Sequence, residues 1–90
     1  MRVALICTDK PGALQLRLDN RGAHLAHIEK SGVVELAGPF LNEAGQMTGS
    51  LIVLDVDNLQ EAQHWADADP YAVAGLFATV VITEWKKVIG

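Results

Sequence analysis

Three apolar segments constrain the fold of this chain more than any other feature of its sequence. Residues 2–8, 50–56 and 78–85 are apolar at nearly every position, whereas a strand with one solvated face alternates apolar and polar residues. Each segment is therefore predicted to be a strand that is covered on both faces. Only two long helical segments lie between the strands, and two helices cover only one face of a sheet. The pattern predicts that a second copy of the chain covers the other face, in a homodimer.

The first half of the chain is predicted to run strand, helix, strand. Gly32 is a good helix stop, and we predict the first helix over residues 12–30. Residues 33–37 are predicted as the second strand, and residues 38–49, with three glycines and one proline, as a loop. The helix has an apolar stripe at helical spacing, formed by Leu14, Leu18, Leu25 and Ile28.

The second half is predicted to run strand, helix, strand. Asn58 and Glu61 have the spacing of a capping box, so a second helix begins after Asn58. It ends at Asp69, because Pro70 disfavours helical geometry in the residue before it, and one further helical turn follows. The chain is thus predicted to be one α+β domain, residues 1–90, with the order βαββαβ. Its four-stranded antiparallel sheet carries both helices on one face.

Composition argues against several classes of function. The formal net charge is −4, and the seven Lys and Arg residues form no basic run, so we expect no nucleic-acid partner. No segment has the roughly 18 apolar residues of a membrane span, and the apolar run after Arg2 is too short for a signal peptide. We therefore expect a cytoplasmic protein with no membrane partner. Cys7 is the only cysteine, which rules out an intrachain disulfide, and it is expected to be buried in the first strand.

Three basic side chains lie along one flank of the apolar stripe of the first helix, namely Arg17, Arg21 and His24. A guanidinium on a core-facing side of a helix needs a partner. One interpretation is a pocket in which the arginines bind an anionic group and His24 carries a proton. The alternative is that His24 is an ordinary boundary residue and the arginines extend to solvent or pair with Asp19, Glu35 or Asp69.

Asp69 is the second candidate for chemistry. Asp before Pro70 is a good helix N-cap, and capping alone explains the motif. Asp69 also shares a helix side with Ala62 and Ala66, the side expected to face the sheet. If it meets His24, its carboxylate fixes the imidazole tautomer, and the two form a His–Asp dyad for general acid–base chemistry. No Ser or Cys is placed as a nucleophile, so proton transfer is favoured over acyl transfer.

The remaining candidates are single residues with ordinary alternatives. Ser50 follows Gly49 at the start of the third strand and presents its hydroxyl to a ligand or simply ends a hairpin. His24 and His27 have metal-chelating spacing, but His27 is predicted to face solvent, so we expect no metal and no cofactor. Four aromatic residues are further candidates: Phe40, Tyr71, Phe77 and Trp85. Each either lines a pocket or belongs to the core or the dimer interface.

Several motifs together resemble the YciI-like, or YCII-related, family. They are R-G-A-H-L at 21–25, A-G-P-F at 37–40, T-G-S at 48–50, W-A-D-A-D-P-Y at 65–71, A-G-L-F at 74–77 and the terminal W-K-K-V. Ala37 stands where a related family with D-G-P-F loops has aspartate, which favours the YciI-like branch. The resemblance implies a ferredoxin-like fold, paired into a dimeric α/β barrel with a cleft near the dimer interface. It also implies an active site on His24 and Asp69, with Ser50 as a further pocket residue.

The residues and the resemblance together predict a small-molecule enzyme. Some relatives resemble lyases that eliminate hydrogen chloride from chlorinated hydroxyquinols, and others resemble isomerase barrels. We therefore expect a lyase or isomerase, with dehydrochlorinase-like chemistry as one option, that acts on a small anionic or phenolic ligand. His24 would transfer the proton and Asp69 would orient it. The predicted substrate-binding residues are Arg17, Arg21, Ser50 and Tyr71. The alternatives are a non-catalytic ligand-binding domain and an accessory domain that only dimerises.

Overall fold

Four strands form one sheet in the order β2-β3-β1-β4, and every neighbouring pair is antiparallel. A computed structural model describes all residues from 1 to 90. The strands are β1 (Arg2–Asp9), β2 (Val34–Leu41), β3 (Met47–Asp55) and β4 (Phe77–Glu84). This is the predicted α+β ferredoxin-like architecture, and the prediction of fold class is confirmed.

The helices begin and end at residues that suit those positions. Helix α1 (Leu14–Ser31) stops at Gly32, whose φ of 67° is the left-handed conformation that glycine adopts freely. Helix α2 (Leu59–Ala68) begins with the predicted capping box: the Asn58 side chain accepts a hydrogen bond from the Glu61 N–H at 2.9 Å. The one-turn helix α3 (Pro70–Val73) follows. None of these helices has the length and apolar character that a membrane crossing demands.

The predicted loop over residues 38–49 is mostly strand, and this prediction was wrong. Strand β2 continues to Leu41, and β3 already begins at Met47, so the turn of the hairpin takes only residues 42–46. The Asn42 carboxamide oxygen closes this turn by accepting two backbone N–H groups at 3.0 Å each. Pro39 suggested a loop, but β2 is an edge strand, where a residue without an N–H is tolerated.

The core-facing side of α1 also differs from the prediction. Leu18 and Leu25 are 46% and 43% exposed, whereas Arg17 and His24 are buried. The helix therefore presents two polar side chains to the sheet, flanked by the leucines. The apolar core depends instead on α2, because one face of β1 and β3 packs against it. This core comprises Val3, Leu5, Cys7, Ile52 and Leu54 with Val56, Ala62, Trp65 and Ala66.

The opposite face of the sheet, which we call the open face, carries no helix. Ile6 of β1 lies in register with Leu51 on one side and Val81 on the other, and Leu36 lies in register with Val53. Ile6 is 40% exposed, Val81 52% and Leu36 48%. The sequence predicted a sheet that is apolar on both faces. In the single chain, large apolar side chains on the open face are indeed exposed to solvent.

Gly49 provides a steric test of the β1–β3 packing. A Cβ at this position would overlap the backbone carbonyl oxygen of Cys7, which cannot move aside cheaply. We expect Gly49→Ala to lower the free energy of unfolding by about 1–3 kcal/mol, measured by urea denaturation at a fixed protein concentration. Gly38→Ala is the matched control, because a Cβ on this neighbouring-strand glycine meets nothing within 4 Å. Equal losses in the two variants would contradict the steric explanation.

Candidate active site

A cleft of about 130 Å³ lies between α1 and the β2–β3 hairpin. Its helix side carries Arg17, Arg21 and His24, and Ser50 and Tyr71 also line it. The structure therefore brings five of the six predicted site residues to one cleft, and it places the sixth, Asp69, in contact with His24. All of these side chains except that of Arg21 are buried.

His24 and Asp69 form a short contact, with 2.7 Å between the histidine Nδ1 and the aspartate Oδ1. Both residues are buried, at 6% and 1% exposure. A carboxylate accepts hydrogen bonds, so Nδ1 carries the proton and donates it, and Nε2 has the free lone pair in the neutral ring. Nε2 has no hydrogen-bond partner in the protein. Because every fully buried side-chain nitrogen has such a partner, Nε2 is not fully buried. His24 lines the cleft, and Nε2 is the ring nitrogen that remains available there.

Asp69 is held in place by its role as a helix cap. Its Oδ1 also accepts the backbone N–H of Tyr71 at 3.0 Å, at the start of α3. The backbone of Asp69 is extended, with φ −60° and ψ 124°, as the following Pro70 demands. The two interpretations of Asp69 are therefore compatible, because one oxygen caps α3 and contacts His24.

Tyr71 packs against two of the three basic side chains of α1, namely His24 and Arg17. Its ring stacks on the His24 imidazole, with centroids 3.9 Å apart and planes 16° apart. The Arg17 Cζ lies 4.7 Å from the centroid of the same ring, within cation–π range. Burial raises the pKa of the Tyr71 phenol, and the positive charge of Arg17 opposes that rise. The phenol is therefore protonated at neutral pH and remains a hydrogen-bond donor.

Arg17 forms a bidentate ion pair with Asp9. Its Nε lies 2.8 Å from the aspartate Oδ2 and its Nη2 lies 2.9 Å from Oδ1, while Nη2 also donates to the Ser50 Oγ at 2.9 Å. The two side chains are only 3% and 5% exposed. Burial works against the guanidinium charge, but the hydrogen bond and charge of Asp9 outweigh it and raise the pKa of Arg17.

The partner of Arg17 differs from those considered in the sequence. Asp9 was not among them, and Glu35 pairs instead with Arg2, at 2.6 Å between the Arg2 Nε and the Glu35 Oε2. The position of Asp9 could have indicated this pair. Its carboxylate lies at the end of a buried strand, just before the turn into the helix that carries Arg17.

Arg21 lies at the exposed rim of the cleft. It has no carboxylate partner among the ion pairs of the structure. This exposed position agrees with the alternative in which an arginine of this helix extends to solvent, where water solvates its charge. Arg21 thus supplies unpaired positive charge at the entrance of the cleft.

His27 does not face solvent as predicted. It is half-buried, its ring centroid lies 4.5 Å from that of Trp65, and its Nε2 donates to the Trp65 carbonyl oxygen at 3.1 Å. His27 therefore ties α1 to α2, whereas His24 contacts Asp69 and Tyr71. No three His, Cys, Asp or Glu side chains come together in an arrangement that could hold a metal ion.

Comparison with known proteins identifies the family. The family model described as the YCII-related domain matches residues 1–86. The chain belongs to the YCII-related family. Protein YciI of Escherichia coli O6:H1 is 37% identical to this YCII-related chain, over 98% of this chain and 99% of the relative. An uncharacterized protein of Haemophilus influenzae is 36% identical, also over 98% of this chain and 99% of the relative. The resemblance noted in the sequence is confirmed.

Solved structures support the same assignment. The 5-chloro-2-hydroxyhydroquinone dehydrochlorinase (TftG) from Burkholderia phenoliruptrix AC1100, in complex with 2,5-dihydroxybenzoquinone, matches this YCII-related domain with a TM-score of 0.87 and 34% identity. The match covers 96% of this chain and 94% of that chain. An antibiotic biosynthesis monooxygenase has a TM-score of 0.56 at 10% identity, over 96% of this chain and 98% of that chain, and shares the fold alone.

The Cys7 thiol is predicted to be unreactive in the native protein, although it lies close to the cleft. It is 1% exposed, and burial raises the pKa of its thiol to about 12, so almost no thiolate forms near neutral pH. We expect no reaction of the native protein with a chromogenic disulfide reagent at about pH 8, and full reaction of the thiol after denaturation. Cys7→Ala gives the background of the assay. Rapid labelling of the native protein would contradict the burial of this thiol.

Proposed function

We propose that this YCII-related protein is a small-molecule enzyme that transfers a proton through His24 and Asp69, in a lyase or isomerase reaction. The observation that supports it most is the buried contact of 2.7 Å between the His24 Nδ1 and the Asp69 Oδ1. This contact leaves Nε2 open to the cleft, where a ligand atom can approach it. A base that is oriented by a carboxylate and opens on a cavity is the arrangement that general acid–base catalysis needs.

The reaction begins when Nε2 of neutral His24 takes a proton from an acidic C–H or O–H group of the substrate. The ring becomes an imidazolium, and the negative charge of Asp69 stabilises it through the Nδ1–H hydrogen bond. The electron pair left on the substrate becomes an enolate or phenolate, or it expels a leaving group. In an isomerase the imidazolium returns the proton to another atom; in a lyase the leaving anion departs and the proton passes to solvent.

The groups around Nε2 favour an anionic or phenolic substrate. Arg17, Arg21, Ser50 and Tyr71 supply positive charge or donor protons along the cleft, and such donors stabilise negative charge that develops on an oxygen. The cleft volume of about 130 Å³ favours a molecule the size of a single ring. TftG, whose ligand is 2,5-dihydroxybenzoquinone, is named as a dehydrochlorinase, and removal of hydrogen chloride requires loss of a proton.

We also infer that the working unit is a homodimer formed through the open face. Large apolar side chains from three strands stand exposed there, namely Ile6, Leu36 and Val81. A contiguous apolar surface of this kind is unfavourable in a monomer and typical of subunit interfaces. The helices lie on the other side of the sheet, so no helix covers these three side chains.

Asp69→Asn tests the proton-transfer pair. Asparagine keeps the shape and can still cap α3, but it removes the charge that stabilises protonated His24. We expect turnover of 5-chloro-2-hydroxyhydroquinone, or deuterium exchange of ring C–H groups followed by NMR, to fall by about 10²-fold or more while the variant remains folded. Asp67→Asn is the matched control, because Asp67 is exposed on α2 and bonds only the Gln63 side chain, at 2.8 Å.

Equal turnover in the Asp69 and Asp67 variants would contradict a catalytic role for the pair. If the wild-type protein binds such compounds but never changes them, the ligand-binding alternative is favoured instead.

Val81→Lys tests the homodimer. A lysine at this position on the open face places two charges, one from each subunit, in an apolar interface. We therefore expect the variant to sediment as a monomer at micromolar concentration, where the wild type sediments as a dimer. Val73→Lys is the control: Val73 is 75% exposed, but it lies on α3, on the helix side of the sheet, and its variant is expected to remain dimeric. A monomeric wild type would contradict the interface.

A further inference from the structure

The proposed function gives a role to Arg17 but none to Asp9, although their ion pair is the second buried charge pair beside the cleft. We propose that Asp9 is a positioning residue, which holds two nitrogens of Arg17 so that the third, Nη1, faces the cleft and binds an anionic oxygen of the ligand. This inference rests on the proposed function in one respect, since it takes the cleft beside His24 as the place where the ligand binds.

The hydrogen bonds of Arg17 show which part of the guanidinium is available. Asp9 accepts from Nε and Nη2, and Ser50 accepts from Nη2 as well. These bonds use the Nε–H and both N–H groups of Nη2. The Tyr71 side chain also lies within hydrogen-bonding reach of the guanidinium. Tyr71 takes at most one of the two N–H groups of Nη1, so Nη1 keeps at least one N–H for a ligand.

Arg17 lines the cleft and not the larger cavity on the other side of the ion pair. Arg17 lines the cleft of about 130 Å³, together with His24 and Tyr71. A second cavity, of about 560 Å³, lies beyond the end of β1, and Asp9 lines it but Arg17 does not. The ion pair thus stands between the two cavities, with Arg17 on the side of the cleft that His24 also lines.

Four elements of the fold fix the orientation of this guanidinium. Asp9 comes from the end of β1, Arg17 from α1, Ser50 from β3 and Tyr71 from α3. A buried ion pair adds little net stability compared with apolar residues of similar volume, because both charges must be desolvated. The arrangement is therefore better explained by a binding role, for which a rigid planar donor is an advantage.

The donors and acceptors of the cleft also define the class of ligand. Ser50 accepts from Arg17 and so has its own O–H to donate, Tyr71 is a protonated phenol, and Nη1 carries two N–H groups. The two hydroxyl oxygens can also accept hydrogen bonds, but Nε2 of His24 is the one base among these groups that can take up a proton. A complementary ligand has acceptor oxygens with negative charge facing Arg17 and one acidic proton facing His24. Ring-sized phenolates and enolised carbonyl compounds have this pattern.

The test measures binding separately from turnover, with 2,5-dihydroxybenzoquinone as the probe. Its acidic hydroxyl groups ionise in neutral solution, so it presents anionic oxygens on a single ring. We expect Asp9→Asn to weaken binding of the probe about tenfold or more, as measured by calorimetry on folded protein, because a mobile Arg17 loses its charge-assisted bond to the anion. Glu35→Gln is the matched control: it removes the carboxylate charge that pairs with Arg2 and Lys87 outside the cleft, and should leave binding unchanged.

Three further variants test this inference separately from the proposed function. His24→Gln should abolish turnover yet keep the affinity for the probe within about threefold, because the anion contacts Arg17. The double variant Asp9→Asn/Arg17→Gln should bind no more weakly than Arg17→Gln alone, since Asp9 acts through Arg17. If turnover fails to depend on His24 while binding still depends on Asp9, the proposed function is wrong and the positioning role stands.

NMR of the guanidinium gives an answer even if Asp9→Asn does not fold. In the wild-type protein without ligand, the Arg17 Nε–H should exchange slowly and rotation about Nε–Cζ should be hindered, because Asp9 holds both Nε and Nη2. Addition of the probe should shift the Nη1 protons most. A freely rotating guanidinium, failure of the wild type to bind the probe, or wild-type affinity in folded Asp9→Asn would each overturn the proposal.

Discussion

The Asp69 carboxylate is the group on which the rest of the site depends. Burying a carboxylate is unfavourable unless donors surround it, and here one oxygen receives both the Tyr71 N–H and the His24 Nδ1–H. The first donor belongs to the backbone of α3 and the second to a side chain of α1. One oxygen therefore links the start of one helix to the face of another. Tyr71 strengthens this link, because its ring stacks on the same imidazole that its backbone helps to orient.

The two long helices have different physical tasks. Helix α2 contributes Ala62, Trp65 and Ala66 to the apolar core, whereas α1 turns Arg17 and His24 toward the sheet. Because these two side chains are polar, the part of the sheet under α1 gains less stabilisation from apolar burial. Hydrogen bonds and charge pairing offset this loss. Sites of this kind are where a sequence departs from the pattern that would stabilise its fold best.

Local signals in the sequence predicted most of the architecture. The order of elements, the capping box at Asn58 and the end of α1 at Gly32 each depend on a few adjacent residues, and the structure has all three. The extension of the β2–β3 hairpin was missed, because strand pairing overrides the turn preference of glycine and proline at an edge. Asp9 was missed for a related reason. Its partner lies on the next element, and only the packing of α1 on the sheet shows that the two meet.

The pairing of β3 with β1 has a consequence for how the family can vary. Ser50 lies opposite Cys7 in the ladder, on the helix side of the sheet, and its neighbour Gly49 lies opposite Thr8, on the open face. A slip of one residue would exchange these faces and remove the hydroxyl from the cleft. Insertions at residues 42–46 change only the solvent-exposed tip of the hairpin and leave the register of the strands unchanged. This tip is thus a site where natural or designed sequences can be lengthened while the chemistry underneath is preserved.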